Sequence, residues 1–171
     1  MRHSFVGHKN TVMSTTTGQN KLTETRDNSI EAENKAIGAQ NKAIVQRFNK
    51  ECVEEGNMRS FGELLAADCI NHAAPPGGDK GPAGMIHFLN NILRTAFPDL
   101  KVVILDQVAE GDKVVSRKEI HGTHAGVFMG IAATHKKVLI KVIDIIRVQD
   151  GKYAEHWGMS NIPEIIAELS A

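Results

Sequence analysis

The chain has 171 residues, and its 20 lysines and arginines balance its 20 aspartates and glutamates. This neutral balance, with no basic stripe, argues against a nucleic-acid or anionic-membrane partner. The sequence contains no apolar run long enough to cross a membrane. The length is typical of one domain with a sizeable hydrophobic core.

The two cysteines, Cys52 and Cys69, lack the spacing of a metal site or a redox motif. They are predicted to be free buried thiols in a reducing compartment, and a disulfide between them is the alternative. The polar N-terminus has no apolar secretory core, so we expect a cytoplasmic protein. Residues 1–29 are predicted to form a flexible polar tail, with Met13 as an alternative start, and residues 30–171 the folded domain.

The first half of the domain is predicted to be mostly helical. From Ile30 the apolar residues recur at helical spacing, and Gly56 is a candidate for the end of this helix. A capping-box pattern at residues 60–63 indicates a short second helix. A third helix is expected between Pro82 and Phe97.

The second half is predicted to be mostly strands. A short strand at 67–73 is followed by strands at 100–109 and 113–122 and by a hairpin at 136–158, and a final helix is expected after Asn161 as its N-cap. This order predicts an α+β fold with helices packed on one face of a mostly antiparallel sheet. Such a sheet, curved around three helices, leaves a pocket between the layers.

The turn of the long hairpin decides which polar side chains face each other. A two-residue Asp-Gly turn would pair Asp144 with Trp157, whereas a three-residue turn with a bulge at Gly151 would pair Asp144 with His156. We favour the bulge because it brings two titratable groups together, although the sequence alone leaves both registers open.

Four short motifs then follow one another along the chain, at residues 97–100, 111–115, 122–130 and 150–157. Their order resembles that in the SnoaL-like polyketide cyclases, a family of the nuclear transport factor 2-like superfamily. The resemblance covers about residues 34–161. It implies a cone-shaped α+β domain whose curved sheet packs on about three N-terminal helices. It also implies a cofactor-free intramolecular aldol condensation that closes a ring on a polyketide ester.

The resemblance also suggests site residues. The family's catalytic aspartate falls on Gly158, its pocket asparagine on Asn71, and its two pocket histidines on His156 and Asp144. We therefore expect Asp144 to orient or ionise His156, which would exchange the substrate proton while Asn71 holds a carbonyl. Substrate contacts are expected from a further set of residues, namely His72, Phe48, Met85, Arg117, Phe128, Trp157 and Gly158.

Each of these residues has a structural alternative. Asp144 could pair with Arg117 or with a lysine across the sheet, because an unpaired buried carboxylate is costly. His156 could be a hydrogen-bonded wall residue, and the aromatic residues could belong to the core. Three histidines, His121, His124 and His135, have no carboxylate or thiol at ligand spacing, so a metal is not expected. The resemblance implies that no other cofactor is needed.

Three functions from different classes remain open. The first is a cofactor-independent acid/base enzyme acting on a small, mostly apolar carbonyl or ester compound. The second is a non-catalytic pocket for such a ligand, which the glycine at 158 favours. The third is a dimerisation or scaffold domain. A homodimer formed through the sheet is expected in any case, because the strand at 136–149 has apolar residues of both parities.

Overall fold

A computed structural model describes the backbone of residues 13–171 and the side chains of residues 25–171. The first twelve residues of the predicted tail lie outside this description. The chain divides into two compact units after Ala36. The second unit, Ile37–Ala171, contains the sheet, the helices packed on it and every site discussed below.

The first helix, α1, spans Met13–Arg47 and continues as a π-helical segment, Phe48–Glu54. The helix start predicted at Ile30 is therefore wrong, and residues 13–29 of the predicted tail are helical. The predicted end is confirmed. Gly56 adopts a φ of +67°, and its N–H donates to the Cys52 carbonyl at 3.2 Å.

The second helix, α2, spans Met58–Leu64 and leads directly into strand β1, Leu65–Asn71. Its cap is Asn57, whose Oδ1 accepts hydrogen bonds from the backbone of Arg59 at 3.0 Å and of Ser60 at 3.3 Å. The predicted cap at Ser60 is wrong, because the Ser60 hydroxyl donates instead to the Glu51 carboxylate at 2.7 Å. This bond fastens α2 to the preceding π-helical segment.

The third helical region is continuous but changes its winding. It consists of α3 (Pro82–His87), a π-helical segment (Phe88–Leu93) and α4 (Arg94–Ala96). Its predicted start at Pro82 and its end before Phe97 are confirmed. The proline fits the first turn, where no helical N–H partner is needed.

Four long antiparallel strands and the short β1 form one sheet. The long strands are β2 (Lys101–Glu110), β3 (Lys113–Thr123), β4 (Lys137–Gln149) and β5 (Lys152–Ser160). The strand order is β1-β5-β4-β3-β2, and β1 pairs with β5 in parallel. The predicted α+β fold with a mostly antiparallel sheet is confirmed.

The chain closes on α5, Ile162–Ser170. Asn161 precedes it, as predicted, but its side chain does not cap the helix. Its Oδ1 instead accepts a hydrogen bond from the Lys141 backbone at 2.7 Å, and its Nδ2 donates to the Leu139 carbonyl at 3.3 Å. Asn161 therefore fixes the start of α5 against β4.

The sheet has two unlike faces. Even-numbered residues of β3 and β4, such as Val114, Ile140 and Ile146, join the helices in one hydrophobic core, and we call this the inner face. Odd-numbered residues of the same strands point the other way, to the outer face. Both cysteines are free and buried, as predicted. Burial raises the pKa of the Cys52 thiol to about 12 and that of Cys69 to about 11.

The turn of the long hairpin is the two-residue Asp-Gly turn, which is the alternative that we did not favour. Asp150 and Gly151 have φ angles of +51° and +72° and form a two-residue turn, so Gln149 pairs with Lys152. The predicted bulge at Gly151 is wrong. An extra residue occurs instead on β5 at Ala154, where the register shifts.

Because the bulge adds one residue to β5, it places the side chains of Asp144 and His156 on the same face of the sheet, as the prediction required. Beyond it, Asp144 pairs with Gly158, and Ile146 pairs with His156. The direct pairing of Asp144 with His156 is therefore wrong. The two residues are nevertheless diagonal neighbours with side chains on the same inner face.

Candidate active site

A buried ion pair lies at the centre of the inner face. The Lys118 ammonium is 2.6 Å from Asp144 Oδ2, and the two side chains are 8% and 1% exposed. Lys118 also donates to Asn49 Oδ1 at 2.7 Å, and Asn49 in turn donates to the Val45 carbonyl at 2.9 Å. The alternative in which Asp144 pairs with a lysine across the sheet is confirmed. Arg117 is not its partner.

The Asp144 carboxylate keeps hydrogen-bonding capacity despite this pair. Neither of its oxygens accepts a hydrogen bond of good geometry from the residues that the structure describes. Buried carboxylate oxygens without hydrogen bonds are costly and uncommon, and a catalytic role is one of the reasons for which proteins keep them. The ion pair with Lys118 keeps this carboxylate inside the fold.

His156 lies beside the ion pair and is held from β1. Its Nδ1 is 2.8 Å from Asn71 Oδ1, and the two residues are register partners in the parallel β1–β5 pair. Its Nε2 is 4.0 Å from Asp144 Oδ2, which is too long for a hydrogen bond but close for two titratable groups. The His156 side chain is 18% exposed.

The surroundings of His156 favour its neutral form. Burial lowers the pKa of the imidazole from 6.5 to about 4, against the Asp144 charge, which raises it. The charges of Lys118 and His72 lower it further. At neutral pH, His156 therefore carries one ring proton and one lone pair.

Gly158 creates the space that the imidazole uses. A Cβ atom at Gly158 would lie 2.8 Å from His156 Nε2 and 3.0 Å from its Cε1. Any larger residue at 158 would displace the ring. His156 thus covers the position to which the family resemblance assigns the catalytic aspartate, and Asp144 faces that position from β4.

Tyr153 and Phe48 form the wall next to His156. Their rings stack with centroids 4.3 Å apart, and the Tyr153 ring is 6.0 Å from that of His156. Burial raises the pKa of the Tyr153 phenol well above 10, and the Asp144 charge raises it further. The phenol is a neutral group at any physiological pH.

Three of the predicted substrate contacts lie on the opposite, outer face of the sheet. The His72 ring stacks on Trp157 at 4.7 Å, and its Nε2 is 2.8 Å from the Glu155 carboxylate. Arg117 donates to Asp106 at 2.7 Å. Their side chains therefore point away from that of Asp144.

The same three residues line a cavity of about 800 Å³ on the outer face. Its floor includes Ile143, Ile145 and Met159, which are partly exposed apolar side chains of β4 and β5. Lys118 and Gly158 also line this cavity, whereas the carboxylate of Asp144 points to the other face of the sheet. The carboxylate–imidazole pair beside this cavity, Glu155 and His72, is partly exposed, whereas Asp144 and His156 are 1% and 18% exposed.

The remaining predicted substrate contacts, Met85 and Phe128, belong to the hydrophobic core. Met85 is buried in the core, and Phe128 is fully buried with its ring 5.0 Å from Phe97. His124 is buried too, and its Nδ1 lies 3.0 Å from the Thr134 hydroxyl, which fixes the loop before β4. Among the described residues, no group of three or more His, Cys, Asp or Glu side chains could hold a metal ion.

Sequence reasoning missed three members of the inner cluster: Lys118, Asn49 and Tyr153. Lys118 could have been recognised from the sequence. Burial alternates along β3, and Lys118 is the one charged residue at a position that this alternation predicts to be buried. Asn49 is flanked by Phe48 in a helical stripe, and nothing in the sequence distinguishes it from a surface amide.

In the part of the chain that the structure describes, no helix is long and apolar enough to span a membrane.

The fold and site define a class of protein: a mostly antiparallel sheet packed against helices, with a small buried polar cluster between them. The sequence matches the SnoaL-like polyketide cyclase family over residues 43–169, and the chain belongs to that family. A search of curated proteins gives no match.

Solved structures agree with this assignment. TsrD from Streptomyces laurentii is 27% identical with a TM-score of 0.68, covering 78% of this chain and 96% of TsrD. The polyketide cyclase candidate IdmH from Streptomyces antibioticus is 26% identical with a TM-score of 0.67, covering 77% and 99%. The hydroxylase candidate AclR from Streptomyces galilaeus is 25% identical with a TM-score of 0.67, covering 77% and 96%.

Proposed function

We propose that this protein is a cofactor-independent acid/base enzyme that closes a ring on a small, mostly apolar carbonyl or ester compound by intramolecular aldol condensation. The observation that carries the proposal is the position of Asp144 directly opposite Gly158. The resemblance assigns the family's catalytic carboxylate to position 158. Here a carboxylate reaches the same part of the inner face from the neighbouring strand.

An intramolecular aldol condensation of this kind needs few catalytic groups. A proton flanked by two carbonyl groups is already acidic, so one positioned base can remove it without a metal or a Schiff base. The resulting enolate carbon attacks a second carbonyl of the same molecule, and the new alkoxide takes a proton back. In this proposal, Asp144 and His156 Nε2 exchange the proton, and the Asn71 amide Nδ2 holds the activated carbonyl.

Lys118 and the apolar wall support this assignment. The ammonium carries positive charge next to the carboxylate, where it would stabilise the negative charge that develops on an enolate oxygen. The stacked rings of Phe48 and Tyr153 give the cluster an apolar side against which a carbon skeleton can fold. The similarity to the polyketide cyclase candidate IdmH supports the same reaction class.

A second candidate is a ligand-binding protein of the same fold without catalysis. The shielding of Asp144, which is 1% exposed and paired with Lys118, favours it. The similarity to AclR, a hydroxylase candidate, supports the view that this fold serves more than one activity. Absence of ring closure by the wild-type protein in the experiment below would favour this candidate.

The experiment is ring closure of linear β-dicarbonyl polyketide methyl esters, followed by mass spectrometry and chromatography of the product. We expect Asp144→Asn to lower the rate at least about 100-fold, as is usual for loss of an acid/base group. The matched control is Asp106→Asn, which removes a carboxylate on the outer face and should leave the rate unchanged. Equal rates for the two variants would overturn the proposal.

We also propose that two copies pair through the outer face. Met159 is 82% exposed and Ile143 is 55% exposed, which is unusual for apolar side chains in the middle of a sheet. Arg117 and Glu119 flank them, so a two-fold related copy can set opposite charges against each other. The free thiols support a reducing, cytoplasmic location, which we propose as well.

A further inference from the structure

An amide from the helical layer, that of Asn49, holds the inner cluster in place. Its Nδ2 donates to the Val45 carbonyl at 2.9 Å, and its Oδ1 accepts from the Lys118 ammonium at 2.7 Å. A carbonyl can only accept and an ammonium can only donate, so these two contacts fix the amide in one orientation. Asn49 is 2% exposed, and it lies in the π-helical segment after α1, a type of winding that is frequent at functional sites.

The Lys118 ammonium is held by two acceptors from different layers of the fold. One is Asn49 Oδ1 in the helical layer, and the other is Asp144 Oδ2 on β4, at 2.6 Å. The lysine stem is flexible, so a single contact does not fix its ammonium. Without Asn49, a buried N–H would lose its acceptor, and the ammonium would leave its place beside Asp144 or release its proton.

The place of this ammonium matters for His156 because both groups approach the same oxygen. His156 Nε2 is 4.0 Å from Asp144 Oδ2, the atom that Lys118 contacts. A carboxylate at this distance favours a protonated imidazole, and an ammonium beside the carboxylate opposes that effect. A protonated His156 would have no lone pair with which to accept a substrate proton.

Four titratable groups face the His156 ring. They are Asp144 on β4, Lys118 on β3, His72 beyond β1 and Tyr153 on the same strand. The Asp144 charge favours the protonated ring, whereas Lys118 and His72 favour the unprotonated one. Of the two groups that oppose Asp144, Lys118 is the one that contacts the carboxylate.

We propose that Asn49 is a positioning residue of this site: by fixing the Lys118 ammonium beside Asp144, it keeps His156 in the unprotonated form that can accept a proton. Asn49 does not touch the substrate in this account and acts through Lys118. The inference rests on the proposed function. It adds a residue of the helical layer to acid/base groups that lie on the sheet.

The test is the pH titration of the His156 ring by NMR with ¹⁵N-labelled histidine, which needs no substrate. The signal is assigned by its absence in His156→Gln. Asn49→Leu keeps the branched shape of the side chain but removes both hydrogen-bonding groups. We expect it to raise the titration midpoint by about one pH unit, which is a tenfold higher proton affinity. The pH below which enzyme-dependent proton exchange declines should rise by the same amount.

The matched control is Asn41→Leu, which makes the same change on α1. It removes the hydrogen bond from Asn41 Nδ2 to the Gly111 carbonyl at 3.1 Å, away from the cluster, and should leave the His156 midpoint unchanged. If Asn49→Leu does not fold, Asn49→Ser takes its place, with a rise again expected. A midpoint equal to that of the wild type in the Asn49 variant would overturn the inference.

The outcomes separate this inference from the proposed function. A raised midpoint in a protein that closes no ring would leave the positioning role of Asn49 intact and contradict the proposed reaction. Ring closure that depends on Asp144, with an unchanged midpoint in the Asn49 variant, would support the reaction and contradict the positioning role.

Discussion

Lys118 is the residue on which the inner cluster depends, because its ammonium contacts both Asp144 and Asn49. We expect Lys118→Met to lower the free energy of unfolding by about 3–5 kcal/mol, since it leaves a buried carboxylate without its cation. Urea unfolding at pH 7 measures this loss. The double variant Lys118→Met/Asp144→Leu should recover most of it, because no charge then remains buried. A loss below about 1 kcal/mol in the single variant would show that the ion pair is not stabilising.

His156 should give the stability curve a characteristic dependence on pH. Its pKa is about 4 in the folded protein against 6.5 for an ordinary histidine. Between these values the unfolded chain binds a proton that the folded chain does not bind, so stability falls as the pH is lowered from 6.5 to 4. The difference corresponds to about 3 kcal/mol.

The measurement is the free energy of unfolding of wild type and His156→Gln across this range. Glutamine does not titrate, so we expect the variant to gain about 3 kcal/mol relative to the wild type between pH 7 and pH 4. Parallel curves would show that His156 has an ordinary pKa in the folded state. The other titrating groups are common to both proteins and cancel in the difference.

Sequence reasoning found the chemistry of single residues but not their partners. Asp144, His156 and Asn71 stand out as polar residues in apolar or strand contexts, and the structure brings them together. Lys118 and Asn49 join them from β3 and from the π-helical segment, which are distant in the chain. Their contacts depend on how the sheet curves against the helices, and no local pattern encodes that geometry.

At the scale of elements, the long hairpin shows what a turn sequence can and cannot determine. Asp150-Gly151 is compatible with both turn lengths, and the observed two-residue turn places the extra residue at Ala154 instead. Nothing in the sequence marks Ala154 as a bulge position. It is not a glycine, and its φ is negative, so the bulge does not need a special residue. The sequence left open whether Asp144 and His156 share a face, and the shared face that we expected arises from a bulge at Ala154 instead of at Gly151.

Two glycines allow a prediction of opposite sign at this scale. Gly151 has a φ of +72° in the hairpin turn, and Gly62 lies in helix α2; no atom lies within 4 Å of a Cβ built at either. We expect Gly151→Ala to destabilise by about 1 kcal/mol, because an L side chain is strained in the left-handed region. Gly62→Ala should stabilise by about 0.5–1 kcal/mol through helix propensity. The midpoints of thermal unfolding of both variants, compared with that of the wild type, test these two predictions. A stabilised Gly151→Ala would exclude the two-residue turn.

At the scale of the whole molecule, the order of elements was the strongest signal. Two helices, a short strand, a third helix, four long strands and a final helix were predicted in the observed order, and the motifs resembled those of the family to which the chain belongs. The outer cavity was not predicted. Such a space depends on the curvature of the sheet, which the strand pattern does not specify.

The outer face carries the prediction about assembly. We expect sedimentation at micromolar concentration to give a dimer for the wild type, and Met159→Glu to shift it to monomers by placing a charge on the apolar face. Ile30→Glu, an exposed apolar residue of α1 rather than of the sheet, is the matched control and should leave the mass unchanged. A monomeric wild type would contradict the proposed pairing.

The central claim is that Asp144 supplies the acid/base function at the position facing Gly158. Its most direct measurement is the rate at which the enzyme exchanges the α-deuterium of a simple β-keto ester for solvent hydrogen, followed by NMR in wild type and Asp144→Asn. Exchange reports proton transfer without requiring the correct ring to form. We predict enzyme-dependent exchange in the wild type and a loss of at least about 100-fold in the variant. Exchange at the same rate in both proteins would contradict the account.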